Sequence, residues 1–214
     1  MQTLTSAQRS LLESQTSQYE SSLVLAEDYL VGRGITEDTA AMARLGVVDE
    51  PLEFDDDATG NYLSIPYLAR AGVVSLRFRC IREHNCKDVP YHGKYRTRLG
   101  DRTRIYGVEH LVSAGPAICI TEGELDALIL NQLGYPAVAL PGAKTWKSHY
   151  RRLFEDFSRI IVFADGDHDG TEFGAEWQKI FPRSVEVAQM DEKEDVNSMF
   201  LLYGEDYFHD ILDG

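Results

Sequence analysis

The sequence predicts an α/β protein, a mainly parallel sheet flanked by helices and preceded by a smaller α+β subdomain. Three observations carry that prediction. From residue 117 onward, short apolar runs alternate with longer stretches of helical period, the pattern of strands joined by crossover helices. Ahead of them, two strand-like segments are separated by a short Gly-containing turn, which reads as a hairpin. The first stretch of the chain carries apolar residues at three- and four-residue steps and reads as helical.

Taken in order, residues 1–46 read as helix. Leu11, Leu12, Tyr19, Leu23, Ala26, Tyr29 and Leu30 form the apolar stripe, and Gly32 and Gly34 interrupt it. A second short helix over 37–45 takes Thr36 as its N-cap and stops at Gly46. The acidic, Gly-containing stretch 54–60 is a loop. NYLSIPYL and VVSLRFRC then form the hairpin across Ala69, Arg70, Ala71 and Gly72. In its second strand Leu76, Phe78 and Cys80 alternate with Arg77 and Arg79, so one face is expected to be core and the other to present guanidinium groups. Residues 82–104 are polar and basic and show no clear period. Beyond them AICIT, PAVAL, RIIVFA and SVEVAQM read as strands. ELDALILNQLG, with an apolar face at Leu125, Leu128, Ile129 and Leu133, reads as a helix, as do TWKSHYRRLFEDF and TEFGAEWQKIF. Two short helices close the chain. The domain boundary is expected at 112/113.

Composition excludes several classes. Hydrophobic residues are 43% of 214, an ordinary globular share. No apolar run approaches the roughly 20 residues that cross a bilayer, and the opening MQTLTSAQRS is polar rather than leader-like. No membrane role and a cytoplasmic location are expected. Three cysteines cannot form a disulfide framework. The net charge of -14 argues against nucleic acid when taken as a whole, but it is unevenly spread. Residues 1–60 carry 3 basic and 12 acidic side chains, 61–116 carry 10 and 4, and 117–214 carry 8 and 19. A basic middle between acidic ends suits a phosphate-binding surface working with a carboxylate metal site.

Two acidic motifs fall where parallel-sheet proteins gather ligands, beyond the carboxyl ends of strands. The first of these strands runs into Thr121-Glu122-Gly123-Glu124, and the third into Asp165-Gly166-Asp167-His168-Asp169-Gly170. Acids at i and i+2 of an extended segment point the same way, so Asp165 and Asp167 are able to converge. Clustered carboxylates repel unless a hard divalent cation relieves them, and magnesium or manganese is the expected occupant. The same loop satisfies a calcium-loop spacing ending at Glu176, but a strand, not a helix, precedes it. DHDGT after an apolar strand also resembles the haloacid-dehalogenase nucleophile motif, yet too few residues follow for that core.

TEGELDAL, ALPGAKTW and VFADGDHDG, in that order, resemble the Toprim domain, a Rossmann-like fold shared by bacterial-type primases, topoisomerases and several nucleases. Flanking segments resemble the bacterial-type DNA primase catalytic core, with a phage origin in view. AEDYLVGRGITEDTAAMARLG is similar to its helical entry, IPYLARAGVVSLRFRCI to its hairpin, GKYRTRLGDRTRIYGVEHL to the segment before Toprim, and EKEDVNSMFLLYG to a late motif. The resemblance implies a 1–112 helical and hairpin subdomain of an RNA-polymerase core and a 113–214 Toprim domain. It implies Glu122 as metal ligand or general acid/base, and Asp165 and Asp167 as ligands of one or two magnesium ions. Asp169 is a possible further ligand, Asp126 a supporting acid and Asp195 an outer one.

Arg77, Arg79, Lys94, Arg96 and Lys144 are expected to hold template and nucleotide phosphates. His168 is expected to face solvent. The implied function is synthesis of short RNA primers on a single-stranded DNA template from ribonucleoside triphosphates. A Toprim nuclease and a non-catalytic accessory subunit are the alternatives. The zinc ribbon and helicase domain of such primases are not legible in the sequence, so a separate zinc-ribbon or helicase chain is expected as partner. Cys80, His84 and Cys86 lack a legible fourth ligand, and no zinc is expected.

Overall fold

The computed structural model describes residues 4–48, 62–89, 92–98, 100–140 and 146–213. The chain divides into two compact units, Met1–Gly32 with Thr36–Arg102, and Arg33–Ile35 with Thr103–Gly214. The division falls ahead of the expected 112/113 because Tyr106 already belongs to the second unit. Its N–H donates to Ala139 O at 2.9 Å, and the Ala139 N–H returns the bond at 3.1 Å.

The first unit opens with helix α1 (Ser6–Glu20), started by a capping box in which Thr5 and Gln8 satisfy each other's backbone N–H groups. Helices α2 (Glu27–Val31) and α3 (Glu37–Met42) follow. Thr36 caps α3 as its sequence position implied, its hydroxyl accepting from the Thr39 N–H at 3.3 Å. The helix ends at Met42, and Gly46 instead opens strand β1 (Gly46–Val48). The hairpin strands are β2 (Tyr62–Ala69) and β3 (Gly72–Cys80), and β4 (Tyr95–Thr97) completes an antiparallel sheet in the order β1-β2-β3-β4. Leu12 and Tyr19 of α1 pack with Val73, Leu76 and Phe78 on one face. Leu63 and Ile65, opposite Arg79 and Arg77 in the ladder, are buried on the other. Both faces of this sheet are therefore covered.

The second unit begins with α4 (His110–Ser113), then β5 (Ala117–Thr121), α5 (Glu124–Gln132) and β6 (Ala137–Ala139). A short α6 (Arg151–Phe154), β7 (Arg159–Ala164), α7 (His168–Ile180), β8 (Val185–Gln189), α8 (Val196–Tyr203) and α9 (Glu205–Asp213) follow. All four strands are parallel, in the order β6-β5-β7-β8. Period-2 alternation sends Ile118, Ile120, Ile160 and Val162 to a core shared with Phe154, Phe173 and Trp177 of α6 and α7. Phe163 points the other way and meets Phe208 of α9, with ring centroids 5.9 Å apart. With helices on both faces the central strand β7 has no solvated side, which is why RIIVFA reads as a continuous apolar run. The α/β class with a smaller α+β subdomain is the one the sequence predicted. Among the described residues, no helix is long and apolar enough to cross a membrane.

Candidate metal and phosphate sites

Parallel strands β5 and β7 are neighbours, so the segments leaving their carboxyl ends emerge side by side. Glu122 follows β5 directly, and Asp165 follows β7 directly. The Glu122 carboxylate accepts a hydrogen bond from the Asp165 backbone N–H. Its Oε1 is buried and has no hydrogen-bond partner among the described residues. Burial pushes the Glu122 carboxyl up to about 7, and the negative charges of Asp167, Asp169 and Asp126 add to the shift. The sheet edge thus brings Glu122 and Asp165 together and sets Asp167 and Asp169 in their field.

The turn after β7 is built by close backbone approaches that only glycine permits. A Cβ on Gly166 would lie 1.6 Å from the Asp191 carbonyl oxygen, and one on Gly170 would lie 2.2 Å from that of Asp165. The Gln189 side-chain amide at the end of β8 donates to the Asp165 carbonyl at 2.7 Å. Helix α7 starts inside the acidic motif, three residues before the predicted TEFGAEWQKIF. Asp167 is its N-cap, with Oδ1 accepting from the Gly170 N–H at 2.8 Å. Asp169 therefore sits in the first helical turn and is exposed, as is His168. Asp126 is buried at 7% exposure and accepts from the Asn197 N–H at 3.0 Å. Asp195 caps α8, accepting from Ser198 N–H at 2.7 Å.

Two more acids, one buried and one half-buried, were not singled out from the sequence. Glu124, in the first turn of α5, has no exposed surface. Burial raises the Glu109 carboxyl. Both lie in the field of Tyr106, whose phenol is pushed up first by burial and then by these two charges. The legible signal for Glu124 is an acid two positions after Glu122 at the start of an otherwise apolar helix.

An all-oxygen donor set with one buried, unshared carboxylate oxygen fits a hard divalent cation such as magnesium or manganese. Among the described residues, these acids do not form a group as close as the Cys/His group below. Beside them, an open cleft of about 700 Å³ is lined by Asp167, Thr171, Met190 and Lys193.

Residues 119–200 match the Toprim-like family, Toprim_2. The Gene 57 protein of Mycobacterium phage D29 is 35% identical over 149 residues, covering 67% of this chain and 93% of the relative. The chain belongs to the Toprim family. Its fold is that of a primase catalytic core. A DNA primase domain from Pseudomonas aeruginosa superposes with a TM-score of 0.74 at 21% identity, over 96% of this chain and 78% of that one. The primase fragment of the bacteriophage T7 primase-helicase protein gives 0.64 at 27% identity, over 85% and 72%.

In this Toprim protein the first unit departs from the expected phosphate-facing arginines. Arg79 is only 6% exposed. Its guanidinium lies 5.1 Å from the centroid of Tyr95 and 6.0 Å from that of Tyr29, and it donates to the Tyr95 hydroxyl. Arg77 stacks over the same Tyr95 ring at 4.4 Å. The reason is register. Arg79 faces Tyr95 and Arg77 faces Thr97, so β4 brings an aromatic roof over the guanidinium side. Arg96 pairs with Phe78 and therefore occupies the opposite face of the sheet. Lys94 is exposed. Lys144 lies outside the described residues.

A second correction concerns Cys80, His84 and Cys86. They do have a fourth neighbour, His92. One ligand atom from each of the four lies within 4.8 Å of every other. Cys119, by contrast, is buried in β5, where burial pushes its thiol up to about 12 and leaves it unreactive.

Proposed function

We propose that the chain is a primase-like, metal-dependent nucleotidyltransferase that makes short RNA primers on single-stranded DNA. The single observation that carries this reading is the half-buried carboxylate of Glu122, its Oε1 shut away from solvent, which leans on the Asp165 N–H and shares its field with Asp167 and Asp169. Glu122, Asp165 and Asp167 would hold magnesium or manganese, with Asp169 as a further ligand. Bound there, the cation would neutralise charge on the nucleotide triphosphate and lower the cost of displacing pyrophosphate. With its carboxyl raised to about 7, Glu122 is only partly ionised at neutral pH, and cation binding would draw off the remaining proton. Asp167 is kept in place by capping α7, and the Asp165 backbone by Gln189. Asp126, held by the Asn197 N–H, would support the same edge.

Arg77, Lys94, Arg96 and Lys144 would contact template and nucleotide phosphates. Arg79, as a buried partner of Tyr95, would orient that ring and Arg77 rather than bind phosphate itself. Likeness to primase cores, including one from a primase-helicase protein, supports this reading. A helicase or a zinc-ribbon chain is the partner proposed to select the template.

The test is to incubate the full chain with magnesium or manganese, labelled ribonucleotides and single-stranded DNA, with and without such a partner. Template-complementary oligoribonucleotides are expected. The Asp165→Asn/Asp167→Asn variant should lose them while keeping its circular dichroism spectrum. Shortened DNA or RNA would instead make the protein a Toprim nuclease, and no product under any condition would make it an accessory subunit.

A further inference from the structure

The connection from β3 to β4 brings four soft or borderline ligands to one place. Cys80 is the last residue of β3, His84 and Cys86 follow in the turn, and His92 arrives shortly before β4. His84 Nε2 and His92 Nε2 are 3.1 Å apart, and Cys80 Sγ is 3.8 Å from His84 Nε2. With Zn–N near 2.0–2.1 Å and Zn–S near 2.3 Å, a tetrahedral ion separates two nitrogens by about 3.3 Å, and a sulfur from a nitrogen by about 3.6 Å. The observed separations match those edges.

The surroundings are those of a held ligand. His92 turns its second ring nitrogen, Nδ1, to the Tyr62 hydroxyl at 3.1 Å, the outer hydrogen bond that fixes the tautomer of metal-bound imidazole. Cys80 is buried, His84 is exposed and the other two are half-buried, so the group lies at the rim of the core with an entry path.

We propose that Cys80, His84, Cys86 and His92 form a structural zinc site inside the first unit. Two thiolates and two neutral imidazoles make a four-coordinate, charge-neutral centre with no position left for water. Such a centre shapes the chain rather than performing chemistry. It closes the polar β3–β4 connection, which among the described residues has only one short 3-10 turn (Cys86–Asp88) of its own. In doing so it fixes β4, the strand that holds Tyr95 over Arg77 and Arg79 and carries Arg96. The site does not depend on the primase reading and uses none of the Toprim acids.

The test uses the full chain, expressed with zinc in the medium, dialysed against a metal-scavenging resin and analysed for metal by mass spectrometry. One zinc per chain is expected. His84→Ala, Cys86→Ala and His92→Ala should each lose about tenfold or more of the bound zinc. Asp165→Asn/Asp167→Asn and Cys119→Ala should keep it. Tyr62→Phe should weaken zinc affinity by about 10- to 100-fold.

Cobalt(II) added to the chelated wild-type chain gives a readout free of any variant's folding. Tetrahedral d–d bands with thiolate-to-cobalt charge transfer are expected at one equivalent. Absence of stoichiometric zinc, zinc retained fully in His92→Ala, or a cobalt spectrum without thiolate bands would each overturn the proposal. In that case the cluster is a set of side-chain hydrogen bonds and nothing more.

Discussion

Glu122 is the residue where fold and chemistry meet. Its carboxyl sits near 7 rather than at the ordinary 4.5, because burial and then its acidic neighbours oppose ionisation. Without metal, the fold favours the protonated form. This contribution to stability is complete below 4.5 and is lost as pH rises through about 7. A cation requires the ionised form, so the dependence on pH reverses in its presence. Calorimetric magnesium titrations should show affinity falling about tenfold per pH unit below about 7 and levelling above it, with a proton released on binding. Glu122→Gln should remove the slope. A flat profile in the wild type would separate Glu122 from the metal.

The sequence made Glu122, Asp165 and Asp167 legible because each follows an apolar strand. It could not show the fate of Arg79, whose neighbours Tyr29 and Tyr95 reach it only through tertiary pairing. Nor could it reveal His92, since no local spacing announces that the chain returns to Cys80.

At the scale of elements, the turn between β7 and α7 decides whether the acids are presented at all. RIIVFA is legible to the residue because a strand buried on both faces leaves a continuous apolar signature. The start of α7 is earlier than its periodicity suggests, since Asp167 spends its side chain on the Gly170 N–H and converts an acidic loop into a cap. Strands β1 and β4, three residues each, are too short to show alternation and exist through pairing with β2 and β3.

A paired prediction separates presentation from simple stability. Gly170→Ala forces a Cβ against the Asp165 backbone, with the nitrogen at 2.6 Å, so the turn must shift. It should weaken magnesium binding about tenfold or more and lower the melting temperature by several degrees. Thr36→Ala removes the cap of α3 at a cost of about 1 kcal/mol and should leave magnesium affinity unchanged. Thermal unfolding by circular dichroism, read beside calorimetry, checks both. Equal effects of the two variants on metal would show that the turn holds no special role.

At the scale of the molecule, acids prevail along the segment that builds the parallel sheet, 19 against 8 basic residues over 117–214, while basic residues prevail in the segment that holds the hairpin, 10 against 4 over 61–116. The net charge of -14 hides that division, and only the segmental count exposes it. The family follows from the order of the acidic motifs, and the fold agrees with it. The proposed chemistry requires that Glu122, Asp165 and Asp167 share a divalent cation. Anomalous diffraction from manganese-soaked crystals of the full chain tests this most directly. One strong peak bonded to all three carboxylates is the predicted result. Crystals in which manganese binds elsewhere, or in which these three side chains stay apart at saturating manganese, would contradict it.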